Sequence, residues 1–184
     1  MTHAIIVLSR VAATNIDALN RSAYYPTADL DNGAVIKLDS LYDFSSGCEV
    51  WSVTKSNGSS ADFWMACNTD VNTLVSGTKK YKGLSVDPRD NYISACTVFD
   101  AFRPQVGDVI LMTADGFTAA VSTNTYANSA DNETDLVWAA TKTASALSFK
   151  LVNTTYVPIP DGSLGDTQQV AAYKLVCIAN PIAQ

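Results

Sequence analysis

The residues of this chain that could do chemistry are few and scattered. His3 is the one histidine. Read as part of a mobile terminus, it leaves no His-centred nucleophilic triad and little acid–base catalysis. Cys48, Cys67, Cys96 and Cys177 form no Cys-x-x-Cys pair and show no metal-ligand spacing. Each sits in or beside an apolar stretch, so buried free thiols are expected. Asp29 and Asp31 have the Asp-x-Asp spacing of a calcium loop, but the later ligands and terminal Glu of an EF-hand are missing. Asp87, Asp90 and Asp100 could supply the two carboxylates of a glycosidase, yet their spacing brings no two together and a solvated surface is expected for them. Trp51, Trp64 and Trp138 could stack on sugars from a concave face; as large aromatics within predicted strands they are expected in the core. There is no glycine-rich phosphate loop and no dinucleotide fingerprint. The chain therefore reads as a non-enzyme, with no catalytic, cofactor-binding or metal-ligating residue to assign.

Bulk composition points the same way. The net charge of −6 and the absence of a basic face argue against nucleic acid as a partner. The densest basic cluster, Lys79-Lys80-Tyr81-Lys82, is too short for a phosphate-binding surface. Ala4-Ile5-Ile6-Val7-Leu8 is far short of the roughly 20 apolar residues that span a bilayer. It is also shorter than a signal-peptide core and lacks a preceding basic residue, so synthesis in a cytoplasm and no membrane partner are expected. Thr, Ser, Asn and Ala fill polar positions in place of Lys and Glu, which suits half-buried sheets and surfaces covered by another protein.

The elements that must carry these residues read as strands. Phe102-Arg103-Pro104-Gln105-Val106-Gly107-Asp108 is a corner: Pro104 fixes φ, Gly107 takes a positive φ, and the Asp108 side chain bonds back to nearby N–H groups. Val109 to Met112 follow as an apolar strand, buried on both faces or central in a sheet, and Ala114 to Phe117 close it with a turn. Gly107→Val is expected to harm folding by forcing a Cβ onto the corner. Ala34, Ile36 and Leu38 share a strand face. Glu49 to Thr54 form another strand, with Trp51 and Val53 on one face. The hairpin signal Asn57-Gly58 then leads to Phe63–Cys67 as its pairing partner. Residues 68–100 are dense in breakers and read as a loop-rich excursion. Residues 122–133 read as a polar loop, Leu136 to Ala140 as a strand, and Leu147, Phe149 and Leu151 as one inward face. Pro158 and Pro160 impose an extended stretch, Asp161-Gly162 and Leu164-Gly165-Asp166 make turns, and Val170 to Ile178 are a last strand. About eight to ten short strands separated by turn signals predict an all-β fold, a single compact β-sandwich or β-barrel.

Residues 1–27 differ from the rest. Asn15 could cap a short helix holding Ala18 and Leu19. The segment is expected either as a strand tucked into the main sheet or as an extended arm lying on a neighbouring subunit.

Three strings carry a resemblance: Leu30-Asp31-Asn32-Gly33-Ala34-Val35-Ile36-Lys37-Leu38, Gly83-Leu84-Ser85-Val86-Asp87-Pro88-Arg89-Asp90, and Val98 through Phe102-Arg103-Pro104-Gln105-Val106-Gly107-Asp108-Val109-Ile110. Together with Lys150-Leu151-Val152 and Ala172-Tyr173-Lys174-Leu175 they resemble a group of small virion proteins of tailed bacteriophages, read as head decoration or other capsid-associated proteins. The resemblance runs from about residue 28 onward; residues 1–27 lie outside it. It implies a structural protein on the outside of a capsid lattice, the major capsid protein as partner, and self-association as a trimer or other small homo-oligomer. With that role the N-terminal segment becomes the expected capsid or subunit contact, through Ile5, Ile6, Val7, Leu8, Tyr24 and Tyr25. Deleting residues 1–22 would then leave a folded protein that no longer binds shells. Two other classes compete. One is a host-facing adhesin or carbohydrate-binding head-fibre or tail component, favoured by exposed tryptophans. The other is an enzyme acting on an envelope polymer, favoured by two carboxylates across a cleft.

Overall fold

Phe63–Cys67 is apolar at every position, and the computed structural model shows why: both faces of this strand are buried. The structure describes residues 3–43, 49–56, 62–68, 73–76, 78–83, 85, 87–121, 123–143, 145–160 and 167–181. In chain order the strands are β1 (Ile6–Arg10), β2 (Asn20–Tyr24), β3 (Val35–Asp43), β4 (Val50–Lys55), β5 (Phe63–Cys67), β6 (Thr73–Ser76), β7 (Lys79–Lys82), β8 (Val98–Phe102), β9 (Val109–Thr113), β10 (Tyr126–Asn128), β11 (Val137–Ala139), β12 (Ser148–Pro160) and β13 (Thr167–Ala179). The fold is all-β, with only 3₁₀ turns of three or four residues as helical structure among the described residues. A six-stranded sheet in the order β1-β9-β13-β12-β10-β11 packs on a closed barrel β2-β4-β3-β5-β8, and β6 and β7 form a separate two-stranded ribbon.

Two cores follow from this layering. The first lies between sheet and barrel: Val35, Phe63, Met65 and Phe102 from the barrel meet Ile110, Met112, Phe149, Trp138, Tyr173, Leu175 and Cys177 from the sheet. The second fills the barrel, with Ala23, Tyr25, Ile36, Val53, Trp64, Ala66, Phe99 and Ala101. Alternate residues of β5 therefore serve different cores, Phe63 and Met65 one and Trp64 and Ala66 the other. The same holds where Val35 and Ile36 enter β3. A strand apolar on both sides is what such a shared wall requires.

Several expectations are corrected by this topology. β5 does not pair with β4; it lies between β3 and β8, while β4 lies between β3 and β2. Both edges of β3 are used, Ile36 and Lys37 pairing with β4 on one side and with β5 on the other, so β3 separates them. The hairpin signal Asn57-Gly58 and the turns at 161–166 lie outside the described residues. The polar stretch 122–133 contains β10, which pairs with β11 and β12. Its burial comes from Ala127 and Asn128, a pairing too short to leave a periodic signal. The excursion after β5 returns by residue 97, since Val98 opens β8. No α-helix forms after Asn15. Instead two 3₁₀ turns, Ala12–Asn15 and Asp17–Leu19, are tied together by the Asn20 amide, which donates to the carbonyls of Ala13 and Ile16. β9 is second in its sheet, with Ile110 and Met112 buried and Val109 and Leu111 half-buried, so it alternates after all. Pro158 and Pro160 sit inside β12, beyond Lys150 where β10 stops pairing, so among the described residues one edge of the strand there has no ladder for a missing N–H to interrupt.

The N-terminal segment is built into the domain. β1 pairs antiparallel with β9, and β2 closes the barrel between β4 and β8. The corner at Pro104–Asp108 holds this arrangement. The Asp108 carboxylate accepts the N–H of Gln105 at 2.7 Å and that of Ala12 at 2.8 Å. The Gly107 N–H donates to the Cys177 carbonyl at 2.9 Å, and the Cys177 N–H donates to the Asp108 carbonyl at 2.8 Å.

Two predictions follow from this framework. Gly107 has a φ of +99° and a Cβ there would meet nothing within 4 Å. Gly107→Val therefore costs backbone conformation rather than crowding, about 1–2 kcal/mol, and is expected to lower Tm by several degrees in a thermal melt. Deleting residues 1–22 removes β1 and most of β2. The product is expected to lose its cooperative melt, unlike the folded truncation that a free arm would give; circular dichroism on the two lengths checks this.

Candidate interaction surfaces

The residues with chemical potential are mostly engaged in holding the fold. The His3 ring nitrogen Nδ1 lies 2.6 Å from Asp31 Oδ1, and the ring stacks on Tyr92 at 4.6 Å. The Ala4 N–H donates to Asp31 Oδ2 at 2.9 Å, so His3 is a tether for the chain start and not a mobile end. Asp29 accepts the Ala95 N–H at 2.7 Å and lies 3.5 Å from Lys80 Nζ. Asp29 and Asp31 thus face different partners. Asp87 caps the 3₁₀ turn Pro88–Asp90 and holds Arg89 at 2.7 Å, and the bonds from Arg89 push its pKa below the ordinary value. Asp90 accepts the Ser85 hydroxyl at 2.5 Å, and Asp100 lies exposed on β8. The structure does not bring these three carboxylates to one cleft. Among the described residues no group of His, Cys, Asp and Glu is placed to hold a metal.

Trp64 and Trp138 are buried, Trp138 stacked on Phe117 at 4.6 Å, while Trp51 is half-buried. The cysteines differ from expectation. Cys177 is buried, Cys67 is half-buried, and Cys96 is exposed at a φ of +62°; none of these three is in a disulfide. Cys48 lies outside the described residues. A pocket of about 180 Å³ under β1, lined by Leu8, Val11, Ala13, Cys67 and Phe102 among others, is smaller than the roughly 300 Å³ lower bound of small-molecule sites.

The proposed contact residues separate. Tyr25 is 7 % exposed in the barrel core and is corrected from contact to core residue. Ile6 and Leu8 pack against the core between sheet and barrel, and Ile5 is half-buried with its N–H on Thr113 Oγ1 at 2.9 Å. Val7 and Tyr24 remain accessible, because strand alternation turns them away from the residues beside them.

Two exposed surfaces stand out. The first is the outer face of the six-stranded sheet. One register row crosses all six strands: Arg10, Val109, Val176, Lys150, Tyr126 and Ala139. A second row carries Val7, Leu111 and Lys174. Val7 is 42 % and Val152 56 % exposed. Arg10, Lys150 and Lys174 are the only charged residues in these strands, and all 18 carboxylates lie elsewhere. The net charge of −6 is thus split into +3 on the sheet and −9 on the rest. The second surface lies on the barrel wall. Tyr24 pairs with Val98 across β2 and β8 and stacks on Tyr42 at 4.3 Å, with Leu41 next to Tyr42 in the chain. Tyr42 and Val98 are both more than half exposed. Asp100 is two residues along β8, opposite Ser22, and Asp17 and Arg21 lie beside it.

Sequence reasoning singled out Val7 and Tyr24 but missed the charge segregation. It was open to a count of acids per strand, once the strands were known. No family model, no curated protein and no solved structure matches the chain.

The second surface also has its own titration. Hydrogen bonds with Cys96 first and Tyr42 second favour the neutral Tyr24 phenol and raise its pKa from 10.0 to about 12. Cys96→Ala is expected to bring Tyr24 down toward 10.0, read as phenolate absorbance in an alkaline titration. In the native protein a thiol reagent should modify Cys96 at once. Cys177 should react only after unfolding, because burial, with the Asp108 charge, pushes its thiol up to about 12.

Proposed function

We propose that this chain is a structural virion protein of a tailed bacteriophage, binding the outside of the capsid lattice as a decoration or cement protein that braces the head. The reading places it on the virion surface, with the major capsid protein and further copies of itself as partners and no catalytic step. The resemblance carried by the strings at 30–38, 83–90 and 98–110 supports it. The structural observation that carries it is the pair of exposed apolar surfaces on a body with two cores. A protein that braces a lattice needs at least two contact faces held at a fixed angle, and a barrel sharing a wall with a sheet supplies that rigidity. Many copies on a regular shell add up modest individual contacts through multivalency.

A carbohydrate-binding head-fibre or tail component is the second reading. Burial of Trp64 and Trp138 removes two of its three tryptophan platforms and leaves Trp51 half-buried, while the Tyr24–Tyr42 stack, with Tyr42 exposed, offers another aromatic surface.

Co-sedimentation of the purified protein with source-phage shells lacking it separates the two. Saturable binding to expanded shells, and none to immature ones, is the expected result, with a copy number matching a set of symmetry-related positions. Absence of binding to both forms would sink the decoration reading and turn attention to glycan binding at Tyr24 and Tyr42.

A further inference from the structure

The two exposed surfaces match one another. The sheet face has an apolar centre of Val7, Val109, Leu111, Val176 and Val152 with Arg10, Lys150 and Lys174 around it. The barrel wall has an apolar centre of Tyr42, Tyr24 and Val98, with Asp100 and Asp17 beside it and Arg21 as the nearby cation. No strand of the first surface carries a carboxylate, and no ion pair to Arg10, Lys150 or Lys174 forms among the described residues. Apolar patches of this kind mark contact sites, and opposed charge around them sets orientation and suppresses the wrong pairing.

From this charge and exposure pattern we infer that the protein self-associates head to tail: the outer face of the six-stranded sheet of one copy docks on the Tyr24–Tyr42–Val98 wall of the next. Sheet-to-sheet pairing would bring +3 against +3, while wall-to-wall pairing would leave the three cations of each sheet face without a carboxylate. The mixed contact sets Arg10, Lys150 and Lys174 of one copy toward Asp100 and Asp17 of the next, around two apolar centres. The contact is heterologous, so each copy uses two different surfaces. It deepens the small-oligomer part of the decoration reading, and it requires no shell.

Sedimentation velocity on the purified full chain tests it, using two double variants at exposed positions. Lys150→Glu with Lys174→Glu disables the sheet face, and Tyr42→Lys with Asp100→Lys disables the wall. Wild type is expected to assemble as concentration rises, and less so at high salt, where screening shortens the reach of the charges. Each double variant alone is expected to stay monomeric with its thermal melt intact. An equimolar mixture is expected to form a dimer with one copy of each and nothing larger, because one intact sheet face and one intact wall remain. A wild type that stays monomeric at every concentration, or a mixture that stays monomeric, overturns the contact. Shell binding by a monomeric wild type would do the same while leaving the decoration reading in place. Assembly in solution without shell binding would leave the contact standing and remove that reading.

Discussion

The constraint on which the structure depends is the double burial of the wall shared by barrel and sheet. β3, β5 and β8 close the barrel and at the same time present Val35, Phe63, Met65 and Phe102 to the sheet. Each large apolar side chain fully removed from water contributes about 1.5–3 kcal/mol, and on these strands successive residues contribute to different cores. A polar residue at any of these positions would be an unpaired group in one core or the other, which is why Phe63 to Ala66 contain none. The same wall sets the topology. With β3 pairing on both sides, β4 is directed to β2, and the only partner left for it there is parallel.

Asp108 attaches the start of the chain to this frame. Its carboxylate satisfies two backbone N–H groups from segments nearly a hundred residues apart, Ala12 and Gln105, while its own carbonyl receives Cys177 of β13. A carboxylate at 5 % exposure is tolerated because its oxygens have partners. Through it the corner before β9 lies next to the chain leaving β1, and the edge strand β1 is kept on β9. His3 on Asp31 and Tyr92 fixes the other end of the same segment.

What is left for the surface follows from strand geometry. Alternation turns Ile110, Leu175 and Phe149 inward and, by the same step of one residue, turns Val109, Val176 and Lys150 outward. The outer row is therefore continuous without any local signal for it in the sequence. Thr141 and Thr143 cover one end of this face: the Asn128 amide donates to both, and the Ser148 hydroxyl donates to Thr143. The open part is the part that carries Arg10, Lys150 and Lys174.

The sequence by itself determined the all-β class, the corner at Pro104–Asp108, the turn after β9, and the inward faces of Ala34–Ile36 and Leu147–Phe149. All of these rest on local chemistry: φ restrictions, side-chain bonds to neighbouring N–H groups, and a period of two. Of the residues it named at the N-terminal segment, the structure leaves Val7 exposed and Tyr24 half-buried, and it packs Tyr25, Ile6 and Leu8 against the cores. Tertiary structure alone decided which strands pair, since β5 sits between β3 and β8 through long-range pairing and two cores sharing one wall. It decided that the N-terminal residues belong to the sheet and the barrel, because Asp108 and Asp31 bond to them from far along the chain. It also decided the charge division. Arg10, Lys150 and Lys174 are spread over 165 residues of sequence and become one surface only when three strands come into one sheet with their even steps on the same side.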